Sequence, residues 1–338
     1  MTKAAGFSRT KARFIAGFVF LAALISGCSL IAPQTSALRE TLKDNSLDIP
    51  QRAELTGVPF FPQIDYYCGP SSLAMVLNAA GARVTPDALV DQVFLPGRKG
   101  SLQVEMLAAA RRNGMVAYEL EPRIVDLLRE LAAGTPAIVL ENYGPFRWFP
   151  VWHYSVVVGY DLPELEVIRR SGTRARVITP LPIFEKIWKE EQYWAMVAIP
   201  PERVPATASE ARYTAAVVAL EQSGQTRAAL IAYSTLLGRW PGSLAGQMGR
   251  GNAAYALHDL ITAEAAFRDA ARDHPDAAAA FNNLAQVLAE RGNLVEALPA
   301  AERAVSLGGP LLATAQATLE EIRHKAEAAG MKRKTGAS

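Results

Sequence analysis

From Glu210 onward the chain repeats itself every 34 residues, and that period leaves few folds open. In steps of 34, Tyr213 aligns with Gln247 and Phe281, Leu220 with Ala254 and Leu288, and Ala229 with Ala263 and Ala297. Tyr233, Phe267 and Ala301 make a fourth column, Leu236, Ala270 and Ala304 a fifth, and Pro241, Pro275 and Gly309 a sixth. A unit of this length holds two helices and a turn, too little to bury its own apolar face, so such units persist only by stacking on one another. The alanine column permits close helix approach, and the proline column ends each second helix. Gln247 and Ala301 fit their columns less well, and His258 stands where the neighbouring units have Gly224 and Gly292. The expectation is three helix-pair repeats over 210–309, a capping helix over 310–329 and a tail over 330–338, with both column prolines outside helices.

The other end of the chain is of a different kind. Lys3, Arg9, Lys11 and Arg13 precede the uncharged run Phe14 to Ile25, whose 12 residues fall short of the roughly 20 that a bilayer-spanning helix needs. Leu24-Ile25-Ser26-Gly27-Cys28 then sets small residues before a cysteine. Residues 1–27 therefore read as a lipoprotein signal peptide and Cys28 as an acylated N-terminus, a multi-chain anchor of the kind that holds a protein stably on a membrane. This places the protein in the bacterial cell envelope facing the periplasm, and Ser29 after the cysteine, rather than an aspartate, points to the outer membrane. The formal charge is +2, and removing those four basic residues with no acid among them leaves −2, which gives no electrostatic case for nucleic acid. Of the two cysteines, lipidation consumes the first, so Cys68 is left without a partner in an oxidising compartment.

Between these ends the composition shifts twice. Residues 28–54 are polar, lack a clear period and read as a tether. Residues 55–200 form a first domain. Val58-Pro59-Phe60-Phe61-Pro62-Gln63 is extended because of its prolines; a helix follows from Gly69 to Ala80, a second starts at Thr85 with Pro86 in its first turn, and Ser101 caps a third. Beyond Asn113-Gly114 the period changes to short β-branched and aromatic runs at 116–120, 137–140, 154–160, 166–170, 175–178 and 195–199. Helices first and strands after imply an α+β domain with an antiparallel sheet. Pro200, Pro201 and Pro205 mark a linker over 201–209, and an all-α repeat domain completes the chain.

Chemistry concentrates in Gln63-Ile64-Asp65-Tyr66-Tyr67-Cys68-Gly69-Pro70-Ser71-Ser72. A thiol at a helix start meets unpaired amides and the positive end of the helix dipole, which favour thiolate. Gln63, just upstream, is placed to aim its side-chain amide at an oxyanion forming beside the sulfur, with the backbone amide of Cys68 as second donor. The base is sought among four histidines; His258, His274 and His324 lie in the repeats, and His153 alone lies in the first domain, opening the strand Tyr154 to Tyr160. Nucleophile on a helix followed by base on a strand is the chain order of papain-like enzymes.

The run Gln-x4-Cys-Gly-Pro-Ser-Ser-Leu-Ala-Met-Val-Leu, then Ser101-Leu102, then Trp152-His153-Tyr154-Ser155-Val156-Val157-Val158-Gly159-Tyr160-Asp161, resembles the bacteriocin-processing cysteine peptidases, papain-like enzymes many of which cut leader peptides after a Gly-Gly pair. The resemblance covers about 55–200 and implies Cys68 as nucleophile, His153 as base and Gln63 as oxyanion donor. Two departures stand out. No membrane bundle and no G-x-x-x-x-G-K-[ST] loop follows, so neither ATP nor any other cofactor or metal is implied. The acid that orients the histidine in the family has its matching place at Arg170-Ser171-Gly172, where none stands.

A three-residue loop pairing Tyr160 with Glu164 would set Ser171 opposite His153, while Asp161, eight strand residues from His153, would lie roughly 26 Å away. Ser171 is therefore expected as the third member of the site. The functional expectation is a cysteine peptidase acting on a peptide or protein in the cell envelope, with the repeats recruiting substrate or a protein partner. Its alternatives are a papain-like amidase or acyl or peptidyl transferase, and a catalytically degenerate lipoprotein scaffold. The anchor is directly testable: mass spectrometry of the membrane-extracted protein should find a mature N-terminus at Cys28 bearing acyl chains, and an unmodified Cys28 within a retained leader would refute it.

Overall fold

The computed structural model describes residues 32–44, 46–64, 66–98, 100–144 and 148–330, so Cys28 and the leader lie outside the described residues. The chain divides into two compact units, one built on a sheet and its covering helices, the other on a run of helices.

Seven strands make one sheet in the order β4 (Val116–Glu119), β9 (Ala195–Ile199), β5 (Ala137–Asn142), β6 (Trp152–Asp161), β7 (Glu166–Ser171) and β8 (Arg174–Pro180), with β1 (Arg52–Glu54) paired to β6. The pairings of β5 with β6 and β9, of β6 with β1 and β7, and of β7 with β8 are all antiparallel. A two-residue hairpin, β2 (Phe94–Leu95) with β3 (Gly100–Ser101), stands apart. Strands β5 and β9 are buried along their whole length, which explains the apolar runs Ala137 to Leu140 and Ala195 to Ile199. Helix α2 (Cys68–Ala79) is buried continuously from Gly69 to Leu77, its two buried serines hydrogen-bonded, and packs on β5 and β6. Helix α3 (Pro86–Val93) starts as its sequence indicates, Thr85 Oγ1 accepting from the Ala88 amide at 3.4 Å.

Four expectations need correction. The segment before Leu55 is not a loose tether, because α1 (Pro33–Lys43) folds and docks, burying Thr35 and Leu38. Its first amides, on Gln34 and Thr35, donate to the two oxygens of buried Glu185 at 2.8 and 2.6 Å, a carboxylate placed where a helix N-terminus favours one. The Gln34 side chain accepts from Ile124 N at 2.7 Å and donates to Pro122 O at 2.8 Å.

Secondly, α5 (Ile124–Ala132) and α6 (Leu181–Lys189) interrupt what looked like strands alone. Ile124, Leu127, Leu128 and Leu131 do carry helical spacing, and Pro182 sits in the first turn of α6, where proline is tolerated. Thirdly, Ser101 is a strand residue, α4 (Gln103–Arg112) beginning two residues later, and its hydroxyl is buried without a hydrogen-bond partner rather than capping the helix. Finally, the β6–β7 hairpin closes at Asp161–Glu166 rather than Tyr160–Glu164, a four-residue loop with Leu165 at φ 52°, and shifts register again between Val157 and Gly159.

In the second unit α7 (Glu210–Gln222), α8 (Thr226–Arg239), α9 (Leu244–Ala256), α10 (Leu260–Asp273), α11 (Ala278–Glu290), α12 (Leu294–Leu307) and α13 (Leu312–Ala328) follow one another, each packed on the next, with no strand from 208 to 330 among the described residues. Pro241 and Pro275 fall in turns. The alanine column is fully buried at Ala229, Ala263 and Ala297, and a Cβ on Gly251 would stand 2.4 Å from the Phe267 ring, so that glycine lets α9 and α10 close on each other. His258 adopts φ 60°, taking the left-handed turn that Gly224 and Gly292 make elsewhere. The final helix buries Ala315, Leu319, Ile322 and Ala326. Among the described residues no helix is long and apolar enough to cross a membrane.

The α1 clamp sets a test. Glu185→Ala leaves two α1 amides without their acceptor and should lower unfolding free energy by about 3 kcal/mol, read from urea midpoints, with α1 amide exchange the first to accelerate.

Candidate active site

The site is assembled by three short stretches. Chain held extended by Pro59 and Pro62 arrives at Gln63, whose amide donates to Gly172 O at 2.9 Å, in the turn between β7 and β8. A turn at Tyr66–Tyr67 then delivers Cys68 as the first residue of α2. Gly69 is obligatory there, because a Cβ would lie 2.2 Å from Ser101 Oγ. Ser71 and Ser72 are ties rather than reactants: Ser71 Oγ donates to Pro62 O at 3.1 Å, and Ser72 Oγ to Tyr154 O at 3.2 Å.

Cys68 and His153 line one cleft of about 1130 Å³, together with Gln63, Tyr143, Arg169 and Ser171. His153 enters at the start of β6, and its Nε2 lies 2.9 Å from Ser171 Oγ. Ser171 thus reaches the imidazole although the ladder differs from the one expected: its last β6–β7 pair is Val156–Arg170, which puts Ser171 diagonal to His153, not opposite. Asp161 sits at the far end of β6, where its carboxylate bonds Arg52 at 2.7 Å.

Gln63 requires a correction. Its Nε2 donates to Ser72 Oγ at 2.8 Å and Tyr154 O at 3.0 Å, and its Oε1 accepts from Gly172 N at 2.6 Å. Both amide hydrogens are engaged in the wall, so Gln63 organises the site instead of presenting a donor to the cleft. The backbone amides of Tyr154, Gly69 and Cys68 are the donors that face the sulfur.

Electrostatics also depart from the expected thiolate. Burial pushes the Cys68 thiol above its ordinary value, and those three amides only partly offset it. Burial likewise holds the His153 imidazole down to about 4, with the Arg169 guanidinium adding to the effect. Burial thus favours the neutral form of each group, against the pull of the helix N-terminus.

Three residues of the cleft or its wall were not singled out from sequence: Glu141, Tyr143 and Arg169. Glu141 is the cross-strand partner of His153, and Arg169 forms a buried ion pair with it. The available signal was a charge directly after each of two apolar strand runs, Glu141 after Ala137 to Leu140 and Arg169 after Val167-Ile168, since such residues are seldom buried unless paired. No group of metal-ligating side chains occurs among the described residues.

Residues 55–195 match the model of the Peptidase_C39 like family, and residues 249–310 match that of the tetratricopeptide repeat. The chain is thus an α+β C39-like peptidase domain followed by tetratricopeptide-like helices. Among solved structures, a protein from Bacillus anthracis described as a C39-like peptidase is 21% identical, with 44% of this chain and 97% of that one covered at a TM-score of 0.37. YrrB, described as a TPR protein with an unusual peptide-binding site, is 21% identical over 35% of this chain and 60% of its own, TM-score 0.32. The Yersinia enterocolitica type III secretion translocator chaperone SycD is 20% identical over 38% and 99%, TM-score 0.34. No curated protein matches.

The depressed imidazole has a thermodynamic consequence. Folded His153 stays neutral to about pH 4, whereas the unfolded chain takes that proton near the ordinary imidazole value of 6.5. The unfolded state therefore binds more protons across this window, and stability falls as pH drops from about 6.5 to about 4. His153→Gln cannot titrate, so urea unfolding of this variant should show a shallower loss over the same range.

Proposed function

We propose that the protein is a cysteine peptidase of the bacterial cell envelope, held by lipid on Cys28 and acting on a peptide or protein with Cys68 as nucleophile. The reading is carried by Cys68 at the N-terminus of α2 sharing a cleft with His153, whose Nε2 is engaged by Ser171. In the tautomer that donates Nε2–H to the serine hydroxyl, Nδ1 is the nitrogen left to accept a proton. Neutral His153 takes the thiol proton as the sulfur attacks the carbonyl carbon, so thiolate forms during attack rather than beforehand. The negative charge moves to the carbonyl oxygen, where the backbone amide of Cys68 is a ready donor. Collapse expels the amine, which leaves with the proton from His153, and water then releases the acid from the thioester.

Ser171 can orient the ring but cannot compensate the imidazolium by charge. The repeats supply a surface for recruiting the substrate or a protein partner, facing the periplasm from the outer membrane. An amidase or acyl or peptidyl transferase would use the same first half-reaction and differ in the acceptor.

Quenched-peptide pools with product masses test this. Wild type should release a new carboxyl terminus, Cys68→Ala and His153→Ala should lose at least about a thousandfold in kcat/KM, Ser171→Ala should lose under about tenfold, and Ser171→Asp should gain several-fold. Products joined to an added amine would move the assignment to a transferase. Turnover that survives in Cys68→Ala would sink the mechanism, and no turnover of any pool or envelope extract would leave the scaffold reading.

A further inference from the structure

The acid missing beside Ser171 has a counterpart one strand away. The β5–β6 ladder sets Glu141 across from His153, and residues facing each other on antiparallel strands project to the same side of the sheet. Both carboxylate oxygens of Glu141 are occupied. One accepts from the Arg169 guanidinium, the other from the Tyr143 hydroxyl at 2.8 Å. Arg169 Nη1 also donates to Tyr143 Oη at 2.9 Å and Nη2 to Thr179 Oγ1 at 2.8 Å. Arg169 is 4% exposed and Glu141 fully buried.

Such a pair is poor value as a stabiliser, because desolvation offsets its attraction and apolar residues of similar size often serve as well. What it does here is geometric. The Tyr143 hydroxyl is pinned between carboxylate and guanidinium, and its ring stands 5.6 Å from the imidazole at 54°. Ser171 bonds the same imidazole through Nε2.

We propose that Tyr143, clamped by the Glu141–Arg169 pair, is a second positioning residue of the site, holding with Ser171 the His153 ring where its relatives use a carboxylate. This rests on Cys68 and His153 working as a pair. Around His153, Glu141 comes from β5, Tyr143 follows it, and Arg169 and Ser171 come from β7, while Cys68, Tyr66, Tyr154, Arg174 and Glu191 line the same cleft. The Glu141 carboxylate is matched by Arg169, and the guanidinium opposes protonation of the ring. Orientation is thus supplied without adding a stabilising negative charge. A base kept neutral in this way still accepts a proton in mildly acidic medium, where a free imidazole is already charged, so the acidic limb of any rate profile lies below 6.5.

The test uses the full chain and no substrate: iodoacetamide alkylation of Cys68 against pH, and titration of the His153 ring by NMR, its signal assigned with His153→Gln. Tyr143→Leu should slow alkylation at neutral pH about tenfold, towards the His153→Gln rate, and displace the ring signal; Tyr143→Phe should fall between. The double variant Glu141→Leu/Arg169→Met, which keeps an apolar wall, should raise the His153 midpoint by about one pH unit. If Tyr143→Leu does not fold, Tyr143→Phe carries the same comparison. An unchanged ring signal and midpoint in the tyrosine variants overturn the inference whatever alkylation shows. Alkylation of His153→Gln at the wild-type rate instead overturns the pair reading, and the NMR arm still decides the role of Tyr143.

Discussion

One side-chain amide holds the site together. Gln63 accepts from Gly172 and donates to Ser72 and to Tyr154, and each partner sits beside a site residue: Gly172 next to Ser171, Tyr154 next to His153, Ser72 one helical turn after Cys68. Its orientation is fixed by chemistry, because the Gly172 amide can only donate and the Tyr154 carbonyl can only accept. The amide is buried, so losing any of these bonds would leave an unsatisfied group at a cost of about 1 to 3 kcal/mol. The helix of Cys68, the strand of His153 and the turn behind Ser171 are therefore tied together through one side chain.

That rigidity has an electrostatic side. The packing that brings Cys68 and His153 into one cleft also removes water from both, and desolvation disfavours each charged form. Three backbone amides favour a thiolate, yet burial outweighs them. A carboxylate against the ring would tilt the balance towards an ion pair. Here Glu141 is committed to Arg169 and Tyr143, and Ser171 offers only a dipole. The balance of these effects favours a thiol over a stored thiolate.

Much of this was legible in the residues because short-range rules governed it. The Cys-Gly-Pro start of α2, the Thr85-Pro86 cap and the 34-residue columns each depend on a few neighbours, and each is found where its spacing indicates. What escaped depended on distant partners. Helix α1 is specified by Glu185, 150 residues away from Thr35. The β6–β7 register is specified by a four-residue loop and a bulge, and a one-residue change in either moves every partner, yet Ser171 reaches His153 because a diagonal neighbour lies within side-chain reach. Gln63 was placed correctly along the chain, but which way its amide faces was decided by Gly172, 109 residues on. The Glu141–Arg169 pair needed two strands brought side by side before either charge made sense.

The docking of α1 also fixes a leash. Were Cys28 to carry lipid, three residues, Ser29 to Ile31, would separate it from buried Ala32, a contour of at most about 14 Å between the two Cα positions. A tether running to Glu54 would then let the sheet unit sweep a wide hemisphere. With α1 pinned by Glu185, a lipid on Cys28 would instead keep that unit within a few water layers of the headgroups, and bonds far from the bilayer surface would be out of its range unless another protein carried them in.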